Sequence, residues 1–195
     1  MELRSTFAFV DAVEHRLRAV ASLLSISENT LRTSLSECGI NIRRANSVNT
    51  ASPAVRIFDL PTIFEIAAWR RNKKLSKGLE GKRPIVMAVE IIKGGVGKTT
   101  TACEVAVQLQ LQGLRVLAID IDIQANLSQL FGYESDLEAD EASSYNLNQD
   151  AIVSGTFATL CAPIAMRSTQ RVDARSVMKY PFGPFGPALI PADTY

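Results

Sequence analysis

Residues 93–100 read Lys93-Gly94-Gly95-Val96-Gly97-Lys98-Thr99-Thr100, and they follow the apolar run Ile85-Val86-Met87-Ala88-Val89. A nearly continuous apolar run of this length predicts a buried strand. The residues after the loop predict a helix from about Lys98 to Gln112 that stops at Gly113. Glycines let successive backbone N–H groups turn towards phosphate oxygens, and a helix N-terminus adds partial positive charge. The stretch therefore predicts a phosphate-binding loop between a strand and a helix.

A second apolar run, Val116-Leu117-Ala118-Ile119-Asp120, predicts another buried strand. Strand, helix and strand within about 40 residues form a βαβ unit, which implies a parallel sheet. Asp120 and Asp122 stand at the carboxyl end of this second strand. Carboxylates placed there can orient a metal ion and a water molecule beside bound phosphate. The alternative is that both only cap the strand.

The residue types in the loop assign a separate task to each side chain. Lys98 is expected to reach the β- and γ-phosphates, and the Thr99 hydroxyl to ligate Mg²⁺. The remaining nucleotide contacts are predicted at Gly94, Gly95, Val96, Gly97 and Thr100. The strict pattern G-x-x-x-x-G-K-[ST] is not met, because Ile92 stands five positions before Gly97. The alternative to a nucleotide site is a glycine-rich turn that merely starts a helix.

Residues 93–100 resemble the deviant Walker A box of the ParA/MinD family of P-loop ATPases, with Lys93 as the extra lysine of that box. Residues 113–128 resemble the family's segment that ends D-x-D-P-Q-x-N-L, although Ile123 replaces the usual proline. Ile91 also stands where the family usually has asparagine. The resemblance covers residues 84–133.

The resemblance implies ATP and Mg²⁺ as ligands. It implies catalytic roles for Lys93, Lys98 and Asp122. Lys93 would reach the nucleotide of the facing subunit in a dimer, and Asp122 would help to position the attacking water and the metal. Asp120 would lie near the Mg²⁺ shell, together with Thr99.

The front of the chain is basic and the back is acidic. Residues 1–83 carry 14 Lys and Arg against 8 Asp and Glu, whereas residues 84–195 carry 7 against 12. In the basic part, a short apolar helix is predicted to end near Leu24, and Ser25-Ile26 to form a turn. Ser27 is a good N-cap for a second, polar helix. Two helices joined by a tight turn predict a helix-turn-helix, with a plain helical hairpin as the alternative.

The front of the chain resembles the winged helix-turn-helix region that large plasmid-type ParA proteins carry before the ATPase. Residues 7–20 show an amphipathic helical pattern, and the resemblance implies that they form a dimerisation helix. It also implies that Arg56-Ile57-Phe58 forms the wing. DNA contacts are predicted at Asn29, Thr30, Arg32 and Thr33. Further phosphate contacts are predicted at Arg70, Arg71, Lys73 and Lys74, for which a solvated linker is the alternative.

The expected fold is an incomplete α/β P-loop NTPase portion, a parallel sheet with flanking helices, preceded by a mainly α winged helix-turn-helix region. We assign residues 1–70 to the DNA-binding region, 71–83 to a basic linker and 84–195 to the ATPase portion. No apolar strand of the Walker B type is found after residue 133, and residues 187–193 only faintly resemble the strand before it. We therefore expect the chain to be the front portion of such a protein.

The predicted function is that of a partition ATPase in the cytoplasm, associated with the nucleoid. ATP binding would order a homodimer that binds DNA non-specifically and at an operator, and a ParB-type partner would stimulate weak hydrolysis. The alternative is a truncated DNA-binding regulator without ATPase activity. A MinD-like membrane role needs a C-terminal amphipathic helix, and none is visible. No run of about 18 apolar residues predicts a membrane span.

Overall fold

The structure is a computed structural model that describes most of the chain. The described residues are 13–45, 54–76, 83–90, 93–135, 137, 141, 144, 147 and 149–193. They form five short strands, β1 (His15–Arg16), β2 (Arg44–Ala45), β3 (Val55–Phe58), β4 (Leu117–Ile119) and β5 (Ala188–Ile190). The α-helices of this part are α1 (Leu17–Leu23), α2 (Glu28–Glu37), α3 (Leu60–Asn72), α4 (Lys98–Leu111), α5 (Asn126–Leu130) and α6 (Phe157–Ala165). Two 3₁₀ turns lie at Gln149–Ala151 and Ala174–Ser176.

The N-terminal elements pair two helices with a small antiparallel sheet of order β1-β3-β2. Ser27 caps α2, since its side chain accepts a hydrogen bond from the backbone N–H of Thr30 at 3.1 Å. The predicted helix, turn and capped second helix are therefore present, and the predicted strand at residues 55–58 is confirmed.

The helix predicted over residues 7–20 is confirmed at residues 17–20 and wrong at residues 13–16. His15 and Arg16 form β1, which pairs with Phe58 and Ile57 of β3, and helix α1 starts only at Leu17. An apolar pattern at helical spacing does not reveal that the backbone of residues 15–16 finds a partner strand. Residues 7–12 lie outside the described part of the chain.

Helix α3 connects the small sheet to the core. Asp59 caps its first turn by accepting from the Thr62 N–H at 2.9 Å, and Pro61 lies in that turn as predicted. Its side chains Ile63, Phe64 and Ile66 are fully buried. The helix continues to Asn72, so the first residues assigned to the linker are helical.

The second group of elements surrounds a two-stranded parallel sheet. Strand β4 pairs with β5 in the register Leu117 to Ala188 and Ile119 to Ile190. Helix α4 ends at Leu111 with Gln112 as its C-cap, directly before the predicted stop at Gly113, where φ is +93°. A Cβ atom at Gly113 would lie 2.7 Å from the Ser76 hydroxyl oxygen, so glycine lets the end of α4 approach the segment after α3.

The strand predicted at residues 85–89 is wrong. Residues 83–90 form neither helix nor strand and are exposed, with Val86 at 96% and Ile85 at 81%. An apolar run becomes a strand only where a neighbouring strand accepts its backbone hydrogen bonds. Among the described residues β4 pairs with β5 alone, so residues 83–90 are not paired with a strand. The predicted burial of β4 is also wrong at Leu117 and Ile119, which are each 45% exposed.

One continuous apolar core joins the N-terminal helices to the elements around the parallel sheet. The Phe182 ring packs against Phe64 of α3, with ring centroids 5.4 Å apart, and against Phe131 at 5.6 Å, edge to face. Leu31 of α2 and Leu189 of β5, both fully buried, belong to the same cluster. Across the described ranges, we find no helix with the length and apolar character needed to cross a membrane.

Candidate nucleotide site

The loop before α4 has the backbone that phosphate binding requires. Gly95 and Gly97 adopt left-handed φ angles of 73° and 79°, and Gly97 is the N-cap of α4. No side chain caps this helix, so its first N–H groups stay available to a ligand. A Cβ atom at Gly94, Gly95 or Gly97 would meet nothing within 4 Å. Gly95 and Gly97 are thus needed for their backbone conformation and not for close packing.

The predicted lysine and one predicted carboxylate come together beside this loop. The Lys98 Nζ atom lies 3.7 Å from Asp122 Oδ2, and each side chain is about one third exposed. The other Asp122 oxygen accepts from the Gln124 N–H at 3.1 Å, while its backbone C=O accepts from the Ala125 N–H at 2.8 Å. This turn leads into α5 and holds the Asp122 carboxylate at the phosphate loop.

Asp120 occupies a different environment, because only 4% of it is exposed. Its Oδ2 accepts from the Ser128 N–H at 2.9 Å and from the Ser128 hydroxyl at 2.8 Å, and its Oδ1 accepts from the Asp122 N–H at 3.2 Å. The Ser128 hydroxyl in turn accepts from the Ala192 N–H at 3.0 Å. Asp120 therefore ties β4 to α5 and to the end of β5. Its place near a magnesium shell stays a prediction.

Sequence reasoning did not assign a role to Ser128, although it stands in the segment that suggested the family. Ser128 is fully buried and satisfies both Asp120 and the Ala192 N–H. No local pattern links a serine to a carboxylate eight residues earlier, so only the folded chain reveals the pair.

The donor set fits a magnesium-bound nucleoside triphosphate. Backbone N–H groups at the start of α4 and the Lys98 ammonium would hold phosphate oxygens, and the half-buried Thr99 would offer a hydroxyl to the metal. The predicted contacts Lys93, Val96 and Thr100 are exposed on the same loop and first helical turn. Within the described ranges, no cluster of three or more His, Cys, Asp or Glu side chains has metal-binding geometry.

The predicted DNA contacts lie on the exposed face of α2 and interact with one another. Arg32 donates to Glu28 Oε2 and to Asn29 Oδ1, both at 3.0 Å. The Thr33 hydroxyl donates to the Asn29 C=O at 3.2 Å, and the Thr30 hydroxyl shares a 2.8 Å hydrogen bond with Ser27. These side chains are solvent-accessible, and their contacts with DNA stay a prediction.

The basic residues predicted as further phosphate contacts do not share one environment. Arg70 lies in the last turn of α3 and is buried, with only 8% exposed. Lys73 and Lys74 are exposed, as expected for a solvated segment. Arg70 is therefore buried whereas Lys73 and Lys74 are exposed, and the composition of the segment does not predict this difference in burial.

A left-handed glycine loop at a helix N-terminus, with a lysine facing a carboxylate that follows a parallel strand, is the arrangement expected of a P-loop nucleotide site. Comparison with known proteins agrees, because residues 85–167 match a family model described as an AAA domain. The chain is 36% identical over 124 residues to a putative replication protein A from Rhizobium rhizogenes. That alignment covers 60% of the chain and 30% of the relative.

Two further relatives extend this result. A putative replication protein A from Sinorhizobium fredii is 33% identical over 129 residues, which cover 63% of the chain and 30% of the relative. A chloroplastic septum site-determining protein minD homolog from Arabidopsis thaliana is 43% identical over 58 residues, which cover 29% of the chain and 18% of the relative. No solved structure matches the chain. The findings support a P-loop ATPase of the ParA/MinD type, and the chain spans less than a third of the length of these relatives.

Proposed function

We propose that the protein is an ATP-dependent DNA partition or replication-control ATPase. The observation that carries the proposal is the pairing of Lys98 with Asp122, 3.7 Å apart, beside a glycine loop in left-handed conformation. The similarity to two proteins named putative replication protein A supports a role in plasmid or chromosome maintenance rather than in metabolism.

The nucleotide would change the partners of both charged groups. Lys98 would leave Asp122 for the β- and γ-phosphates, since phosphate carries more charge than one carboxylate. Asp122 would then be free to orient a water molecule. Mg²⁺, held by Thr99 and phosphate oxygens, would supply electrostatic stabilisation of the transferred phosphoryl group. Lys93, exposed at the loop entrance, would reach the nucleotide of a second copy in a homodimer.

The DNA-binding part of the proposal rests on α1, α2 and the small antiparallel sheet. Asn29, Thr30, Arg32 and Thr33 are exposed on one helix that follows a tight turn. The positive charge of residues 1–83 favours a polyanion. We propose operator binding through this face for autoregulation, ATP-dependent non-specific DNA binding by the dimer, nucleoid association, and a ParB-type partner that stimulates hydrolysis.

A nucleotide-binding experiment with paired lysine variants tests the ATPase part. ATP affinity, hydrolysis and ATP-dependent DNA binding are measured for the full chain, Lys98→Ala and Lys93→Ala. Lys98→Ala is expected to lose ATP binding, whereas Lys93→Ala should retain binding and lose turnover. Unchanged ATP affinity in Lys98→Ala would contradict the proposal.

A DNA-binding regulator without ATPase activity is the second candidate. The exposed apolar segment at residues 83–90 favours it, because the loop then lacks the preceding strand that fixes a P-loop in its sheet. In that case the chain binds nucleotide without turnover, and its DNA affinity is the same with and without ATP.

A further inference from the structure

A cleft of about 920 Å³ lies where α2 and the C-terminal ends of α3 and α4 meet. Its volume is in the range of small-molecule sites. Hydroxyl and amide groups supply much of its lining, among them those of Thr30, Thr33, Ser34, Ser76 and Gln112. The Gln112 amide also donates to the Leu23 C=O and to the Ser25 hydroxyl, both at 3.1 Å, and so joins the end of α4 to the turn before α2.

Arg70 brings a positive charge into this cleft. Its residue is 92% buried, and one guanidinium N–H donates to the Ser34 hydroxyl at 2.6 Å. No carboxylate of the described residues lies within ion-pair distance of Arg70. Glu37, the carboxylate of the lining, is exposed at the rim. A guanidinium has five N–H donors, so most of its hydrogen-bonding capacity remains for a ligand.

Further positive charges lie near this end of α3, outside the lining of the cleft. Burial lowers the pKa of Arg70, and burial together with the charge of Arg115 lowers the pKa of Arg71. Lys73 follows within the same helix end. The C-terminus of α3 offers only about half a negative charge to these side chains. The balance favours an anion.

We propose that this cleft binds a small ligand through a phosphate or carboxylate group that pairs with the Arg70 guanidinium. The Ser34 hydroxyl accepts its hydrogen bond from Arg70, so its own proton is available to donate to the same anion. The Thr33 and Ser76 hydroxyls supply further donors at the lining. The end of α4 lines the cleft through Leu111 and Gln112.

The test uses the full chain carrying Lys98→Ala, so that phosphate binding at the glycine loop does not contribute. Inorganic phosphate and succinate are titrated separately by calorimetry and by the fluorescence of Trp69, the single tryptophan, next to Arg70. We expect one saturable site for at least one of them. The anion that binds shows whether the charged group of the ligand is a phosphate or a carboxylate. No saturable binding of either anion would overturn the proposal.

Three variants in that background locate the site. Arg70→Gln is expected to weaken anion binding by at least about tenfold, because it removes one member of a buried charge pair. Thr33→Glu places a carboxylate at an exposed position of the lining, should not perturb folding, and is expected to weaken binding by a similar factor. Ser36→Glu adds the same charge to α2 outside the lining and should leave the affinity unchanged.

Two results with these variants would contradict the proposal. Equal weakening by Thr33→Glu and Ser36→Glu would mean unspecific electrostatics, and unchanged affinity in Thr33→Glu would place the anion elsewhere. A short DNA duplex is titrated in parallel. Binding of the duplex that depends on Thr33, without binding of either small anion, would make DNA the occupant and reject a small ligand.

Discussion

The buried Asp120–Ser128 pair determines how the carboxylates after β4 are held. Ser128→Ala removes the hydroxyl hydrogen bond to Asp120 and leaves the Ala192 N–H without its acceptor. Loss of a partner from buried polar groups costs about 1–3 kcal/mol. Urea unfolding is expected to show this decrease in the free energy of unfolding. The control Ser36→Ala, at an exposed helical serine, should change it by much less, and equal effects would contradict a structural role for Ser128.

A second residue-scale prediction concerns Cys103 on α4. Burial, and next the charge of Glu104, raise the pKa of its thiol to about 11 from 9.0. The native thiol therefore keeps its proton after the unfolded one has ionised. Its contribution to stability is complete below pH 9 and is lost as the pH rises from about 9 to 11.

Urea midpoints at pH 8 and pH 10 test this dependence. The wild-type chain is expected to lose more stability between the two values than Cys103→Ala, because the variant lacks the titrating thiol. Tyr133, whose pKa burial raises to about 12, contributes a loss of the same sign at higher pH in both chains. Identical losses in the two chains would show that Cys103 is not responsible.

At the level of elements, the N-cap of α3 gives a direct test of local capping. Asp59→Ala removes the acceptor of the Thr62 N–H at 2.9 Å and is expected to cost about 1 kcal/mol. Asp59→Asn keeps an acceptor oxygen and serves as the matched control. Chemical denaturation of the two variants should therefore separate them, and indistinguishable stabilities would argue against the cap.

The elements that the sequence predicts correctly are those with local determinants. Ser27, Pro61 and Gly113 mark helix boundaries through their own backbone and hydrogen-bonding properties, and the helices begin or end there. The strand predicted at 85–89 is wrong because strand formation requires a neighbouring strand, which the local sequence does not specify. The same holds for the site. The glycine loop follows from residue type, while the burial of Arg70 and the Asp120–Ser128 pair depend on tertiary packing.

At the scale of the whole molecule, Phe182 joins the N-terminal helices to the elements around the parallel sheet. Phe182→Ala leaves a cavity between Phe64 and Phe131 and is expected to cost about 3–5 kcal/mol. Because the core is continuous, Trp69 fluorescence and circular dichroism should report one shifted transition.

The control for this experiment is Phe185→Ala, at a phenylalanine that is 40% exposed, which should cost much less. A Trp69 transition that stays in place while circular dichroism shifts would mean that the two parts unfold separately. The domain boundary predicted at residues 71–83 would then also be a boundary of stability.

Helix α4 can act as a lever between its two ends. Its 14 residues span about 21 Å, from Gly97 at the phosphate loop to Gln112 at the turn before α2. A tilt of about 5° at the loop would displace the far end by about 2 Å. Hydrogen bonds of 3.1 Å do not tolerate such a movement, so the Gln112 contacts to Leu23 and Ser25 would break. A small rotation of α4 at the phosphate loop would thus break the hydrogen bonds that hold its other end to the turn before α2.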